Sequence, residues 1–149
     1  MSKPTSIPYE RAVAGQAAIA EMQKTLAAFG CSSFGTMTDN DRGCMIVMFK
    51  WREQQVQLEA SWTGYVQLLV KAGWRDREKA LKQAKTAVCS VLRDWVKGQT
   101  TAVECGVITF HEAFMPHMVL PNGQRVIDAA RSAKILPQPS AQKVVELKP

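Results

Sequence analysis

In Cys44-Met45-Ile46-Val47-Met48-Phe49-Lys50-Trp51 apolar residues fill both alternating sides, as the central strand of a sheet requires. Arg52-Glu53-Gln54 then makes a tight turn. Beyond it Val56, Leu58 and Ala60 alternate with Gln55, Gln57 and Glu59, the period-2 pattern of a strand with one wet face. Upstream, Cys31 to Thr38 is β-compatible and interrupted by Gly35, and Asp39-Asn40-Asp41-Arg42-Gly43 supplies a cluster of turn residues. Three strands joined in chain order by such short connections form an antiparallel meander.

On either side of the meander the period changes to that of a helix. Ser6-Ile7-Pro8 reads as a helix start, Ile19, Met22, Leu26 and Phe29 recur at steps of three and four, and Gly30 is a natural stop. This predicts a helix over residues 8–29. After the strands, Ser61 is placed to cap a short helix reaching Ala72, with Val66, Leu69 and Val70 inward and Gly73 ending it.

A long helix over residues 76–105 follows, its apolar stripe expected through Leu81, Ala84, Val88, Val91, Trp95, Gln99 and Ala102. Gly98 weakens it by about 0.8–1 kcal/mol relative to alanine, which leaves room for a kink there, and Gly106 ends it. Thr109 and Glu112 have capping-box spacing and open a short helix that Pro116 stops. Met118-Val119-Leu120 and Gln124-Arg125-Val126-Ile127, separated by Pro121-Asn122-Gly123, read as a small hairpin.

The fold class is therefore α+β: a three-stranded antiparallel meander with an N-terminal helix and a long C-terminal helix packed on one face, plus a small C-terminal hairpin. Residues 1–136 are expected to form a single domain. Residues 137–149, with three prolines, are expected to be a flexible tail.

At 149 residues, 46% apolar and 21% charged, the chain has ordinary globular composition. A chain of this size buries roughly 68–70% of its unfolded surface. No apolar run approaches the roughly 18 residues needed to span a bilayer, and the N-terminus does not read as a signal peptide, so no membrane partner and a cytoplasmic location are expected. Cys31, Cys44, Cys89 and Cys105 contain no C-x-x-C spacing and are read as buried free thiols.

Charge gives the one clear functional direction. Between residues 71 and 97, eight cations (Lys71, Arg75, Arg77, Lys79, Lys82, Lys85, Arg93, Lys97) face three carboxylates (Asp76, Glu78, Asp94), so this segment carries +5 of the net +6. At 100° per residue, Lys79, Lys82, Thr86, Ser90, Arg93 and Lys97 share a ridge, with Arg75 and Arg77 at the helix start. Cations and hydroxyls along one ridge match successive phosphates without reading base sequence. A lysine-rich solvated face is the plainer reading of the same residues.

Met45, Val47, Phe49 and Trp51 share one side of the central strand, and most are expected beneath the helices. Trp51, at the strand end, is the candidate for stacking on a base.

Other chemistry is thinly supported. Cys105, His111 and His117 stand six residues apart, unlike the close pairs of a zinc site. Cys105 with either histidine and Glu104 or Glu112 would supply a nucleophile, base and orienter. Yet a thiolate is disfavoured beside Glu104 at a helix C-terminus. No phosphate-cradling glycine loop or serine elbow occurs. The expectation is a non-enzyme with no catalytic residue, metal or cofactor. The apolar segment Phe114 to Pro121 is expected to dock on the core.

Three stretches carry a resemblance: Glu21 to Gly30 leading into Ser33-Phe34-Gly35; Val91 to Gln99 followed by Ala102-Val103-Glu104-Cys105-Gly106; and Thr109 to Pro116 leading to Leu120-Pro121-Asn122-Gly123. Together they resemble a small uncharacterised protein family of tailed bacteriophages and prophages. The resemblance implies an accessory protein acting in the host-cell cytoplasm. With the charge pattern, the expected function is electrostatic nucleic-acid binding through Arg75, Arg77, Lys79, Lys82, Arg93 and Lys97, with Trp51. The alternative is an inhibitor binding a host enzyme or defence complex, so that the partner is a host protein. A homo-oligomeric assembly component is a third expectation.

Overall fold

A computed structural model describes residues 7–137; all of the expected tail except Pro137 lies outside the described residues. The fold is α+β, and the meander stands as the sequence predicts. Strands β1 (Ser33–Asp39), β2 (Cys44–Trp51) and β3 (Gln54–Ser61) pair antiparallel in the order β1-β2-β3. The register places Val47 between Thr36 and Leu58.

The β2–β3 connection is the two residues Arg52 and Glu53, both left-handed at φ 47° and 67°. Such a turn matches the right-handed twist of its strands, although asparagine and glycine usually fill it. At the other hairpin Gly43 also has positive φ, and a Cβ there would lie 2.7 Å from Thr63 Cγ2. Only glycine fits that close approach.

Strand alternation divides the sheet into two faces. Met45, Val47, Phe49, Val56 and Leu58 are buried in the core with Met22 and Leu26 of α1 (Gln16–Phe29) and Val88, Leu92 and Val96 of α3 (Arg77–Glu104). The opposite face presents Met37, Ile46, Met48, Gln57 and Glu59, with Met37 half exposed. Its outer edges differ. The chain covers the edge of β3 itself, for Val119 N–H donates to the Gln55 carbonyl and Met118 bridges Val56. The edge of β1 has no strand beside it among the described residues.

The first helix is shorter than predicted. Residues 7–14 form a strap across α2 (Thr63–Lys71) and α3, with Tyr9 at φ 66°. Side chains later in the chain claim the carbonyls a helix would have used. Gln83 Nε2 donates to the carbonyls of Glu10 and Ala12, both at 2.9 Å, and Ser90 Oγ donates to Ala14 O at 2.9 Å. The Tyr65 hydroxyl donates to Pro8 O. Gly15 precedes the helix without a side-chain cap, and Gly30 ends it in the left-handed conformation.

Helix α3 runs 28 residues without interruption through Gly98, about 42 Å at 1.5 Å per residue. Its buried face matches the predicted stripe in part: Ala84 and Val88 are buried and Trp95, Gln99 and Ala102 half-buried, but the face is rotated. Ala80, Ala84, Ala87, Val88, Cys89, Ser90, Leu92, Val96 and Thr100 are buried, whereas Leu81 and Val91 are exposed. The helix packs against both α1 and α2, so small residues lie where the neighbouring helices crowd it.

Thr109 forms the capping box with Glu112 and opens α4 (Phe110–Phe114), followed by a 3-10 turn at Met115–His117. Phe114 and Met118 are buried, so this segment docks on the core. The predicted C-terminal hairpin shrinks to one bridge, Val119 to Arg125, around the Pro121–Gly123 turn. Val126 and Ile127, expected in its second arm, instead begin α5 (Val126–Ser132). Arg125 ties that helix down by donating from Nε and Nη2 to the two Asp128 carboxylate oxygens, at 2.9 and 3.1 Å.

Candidate nucleic-acid interface

The cationic segment begins at the α2–α3 junction. Asp76 caps α3, its Oδ1 accepting from the backbone N–H of Glu78 at 3.0 Å and of Lys79 at 3.3 Å. Its carboxylate therefore satisfies free helix amides. Around it Lys71, Arg75, Arg77, Lys79 and Lys82 are all exposed, and among the described residues none has a carboxylate within 4.0 Å. With Asp76 and Glu78 counted, this junction carries a net charge of +3.

The predicted ridge does not continue along the helix. Ser90 is buried beneath the strap, and Thr86 is half-buried beside the start of α1, where a Cβ on Gly15 would lie 3.7 Å from Thr86 Oγ1. Their hydroxyls belong to packing. Arg93 is engaged as well: its Nε donates to Asp94 Oδ1 at 2.8 Å and its Nη1 lies 3.7 Å from Glu21 Oε1. Hydrogen bonds from Arg93 and from the Tyr9 hydroxyl hold the Asp94 carboxyl below its ordinary value.

Lys85 leans over the Trp62 ring, 4.8 Å from its centroid, and its Nζ lies 3.3 Å from Asn40 Oδ1. Lys97 is exposed but stands fifteen positions beyond Lys82, about 22 Å along the helix. Arg75, Arg77, Lys79 and Lys82 thus lie exposed within eight positions at the start of α3, apart from Arg93 and Lys97.

Trp51 lies outside this cluster. Its indole stacks on Phe110 with centroids 3.9 Å apart, and the Arg52 guanidinium sits 4.5 Å above the ring. A stacking base would have to displace one of these neighbours.

Hydroxyl and amide residues on a charged helix face were the available signal for the break in the ridge. Gln83, Thr86 and Ser90 at successive turns suit a neighbour whose backbone needs donors as well as they suit phosphate. The strap itself left no periodic trace.

Elsewhere the thiols differ from the expected uniform burial. Cys44 and Cys89 are buried and Cys31 is half-buried, but Cys105 is exposed. Burial pushes the Cys31 thiol up to about 11 and raises Cys89 as well, which suits inert core thiols. His111 is exposed beside Phe110, while His117 packs edge-on against Trp95. Among the described residues no three His, Cys, Asp or Glu side chains are grouped to hold a metal ion. No helix among them is long and apolar enough to cross a membrane. Compared with known proteins, the chain matches no family model, no curated protein and no solved structure.

Proposed function

We propose that the protein binds nucleic acid electrostatically, through the cationic junction of α2 and α3 rather than along the whole helix. The observation that carries this reading is the cluster of Arg75, Arg77, Lys79 and Lys82, exposed and without carboxylate partners among the described residues. Their contacts would be to phosphate, because no aromatic or amide side chain in this cluster is placed for base reading. The resemblance to phage proteins supports an accessory role in the host cell.

The test is binding of labelled single- and double-stranded DNA across a salt series. Four neutralised phosphates give a log–log slope of about −3.6 on duplex. Replacing Arg75, Arg77, Lys79 and Lys82 with glutamine should abolish binding at moderate salt. Arg93→Gln should leave the slope unchanged, because Asp94 and Glu21 already engage that side chain. No binding at low salt, or no loss in the fourfold variant, rejects the reading.

A second reading, an inhibitor that docks on an acidic host protein, is favoured by two exposed leucines on the same helix pair, Leu68 and Leu81. Apolar side chains among cations suit a protein surface better than a phosphate backbone. A stoichiometric protein partner recovered from nuclease-treated host lysate, and lost in Leu81→Glu, would select this reading over the first.

A further inference from the structure

The free edge of β1 is the most conspicuous surface that nucleic-acid binding leaves unused. Natural sheets blunt such edges with lysine, proline, bulges or a covering segment. The edge of β3 follows this rule through Met118 and Val119. β1 does not. Its seven residues, Ser33-Phe34-Gly35-Thr36-Met37-Thr38-Asp39, contain no lysine, arginine or proline, and they pair with β2 position for position without a bulge.

The surface beside this edge carries little charge: of the residues lining its two grooves only Lys85 is a charged side chain. On α1, Gln16 and Ile19 line a groove of about 280 Å³ with Thr36 and Thr38, and Gln23 and Ala27 line another of about 250 Å³ with Ser33 and Phe34. In a chain of net charge +6, such a strip has the charge depletion of an interface centre.

We infer that β1 is the dimer interface of this protein, pairing antiparallel with β1 of a second copy to make one continuous six-stranded sheet. The strand is self-complementary when paired about its middle residue, Thr36. Met37 then lies opposite the partner's Gly35, Phe34 opposite the partner's Thr38, and Asp39 opposite the partner's Ser33. Each larger side chain meets a smaller one.

Charge fits the same arrangement. Asp39 is the only ionisable residue of β1, and the two-fold axis sends the two copies of it to opposite ends. Ser33 is registered with Lys50 on β2. Asp39 of one copy therefore sits on the same face as the partner's Lys50, two strands away, roughly 9.6 Å between backbones and within reach of a lysine side chain. Lys50 has no carboxylate within 4.0 Å among the described residues, so it is available for this pair.

Sedimentation of the full chain at rising micromolar concentration, with β1 amide exchange followed in parallel, tests the inference. The expected result is a dimer whose β1 amides become protected as concentration rises. Thr36→Lys places two lysines directly opposite each other and should weaken the dimer roughly fivefold, as should Thr36→Glu. An equal mixture of the two variants should restore it, which a folding defect would not do. A monomer at every concentration, a dimer indifferent to both variants, or β1 protection independent of concentration would overturn the inference.

Discussion

The indole of Trp51 and the ring of Phe110 lie face to face, centroids 3.9 Å apart and planes within 15° of parallel. One residue ends β2 and the other opens α4, so the stack fastens the last strand-turn of the meander to the capped helix. Phe29, at the end of α1, extends it, 6.0 Å from Trp51 and 6.2 Å from Phe110. Trp51→Ala should cost about 3 kcal/mol, the low end for a packed aromatic because the ring is partly exposed. Denaturant unfolding measures it, and the DNA salt slope of the folded variant should be unchanged.

The buried Arg125 guanidinium links Asp128 to Glu59, whose Oε1 it approaches at 3.5 Å and which Arg42 also reaches at 2.7 Å. Burial alone would raise the Glu59 carboxyl, but hydrogen bonds from Arg42 and Gln57 and the charge of Arg125 outweigh it and hold it below its ordinary value. The Arg125 hydrogen bond holds Asp128 low in the same way. Both carboxyls are more acidic folded than unfolded, so their stabilisation is complete above their unfolded values and is lost as pH falls through the folded ones. Arg125→Met should cost about 2 kcal/mol, less than a fully buried pair because Asp128 is partly exposed. It should also flatten the fall in Tm below about pH 4.

His117 presents the opposite situation. Its Nδ1 is buried without a hydrogen-bond partner among the described residues, and burial followed by the charge of Arg125 lowers its affinity for a proton. Asp128 and Glu59 are already bound to Arg125, and Trp95 covers the ring edge-on. The unfolded chain takes up the proton first, so stability declines as pH drops below about 6.5. His117→Phe should remove that decline and raise stability at neutral pH. Thermal melts between pH 5 and 8 would show whether it does.

Much of this architecture is legible in residue order. β2 occupies the predicted residues because nothing but a central strand accommodates apolar residues on both sides from Cys44 to Phe49. The ends of α3 follow from Asp76 and Gly106, whose chemistry is local. What failed was long-range. The rotation of α3 depends on which neighbours crowd it, and Ala80, Ala87 and Ser90 become core only because α1, α2 and the strap surround them. Val126 and Ile127 suit a strand by propensity, but the Arg125–Asp128 pair three residues apart favours a helical turn. The cationic cluster was readable from composition. Its break was signalled only by Gln83, Thr86 and Ser90 and by Asp94 beside Arg93; the Glu21 contact left no trace, because that residue comes from another helix.

Arg52 and Glu53 hold left-handed conformations that cost a non-glycine residue about 1–2 kcal/mol. Glu53→Gly should recover about 1 kcal/mol, while Arg52 is left to cover Trp51. A higher denaturant midpoint with unchanged slope would show the gain.

The strap has a consequence for the order of assembly. Residues Glu10 and Ala12 are made before α3, yet the amide that donates to their carbonyls belongs to Gln83, more than seventy positions later. Until α3 has been synthesised this segment has only the Tyr65 and Trp74 side chains to hold it, whereas the meander closes on local contacts alone. The strap is thus made before the elements it grips and settles only after them, so that it closes over a core already formed.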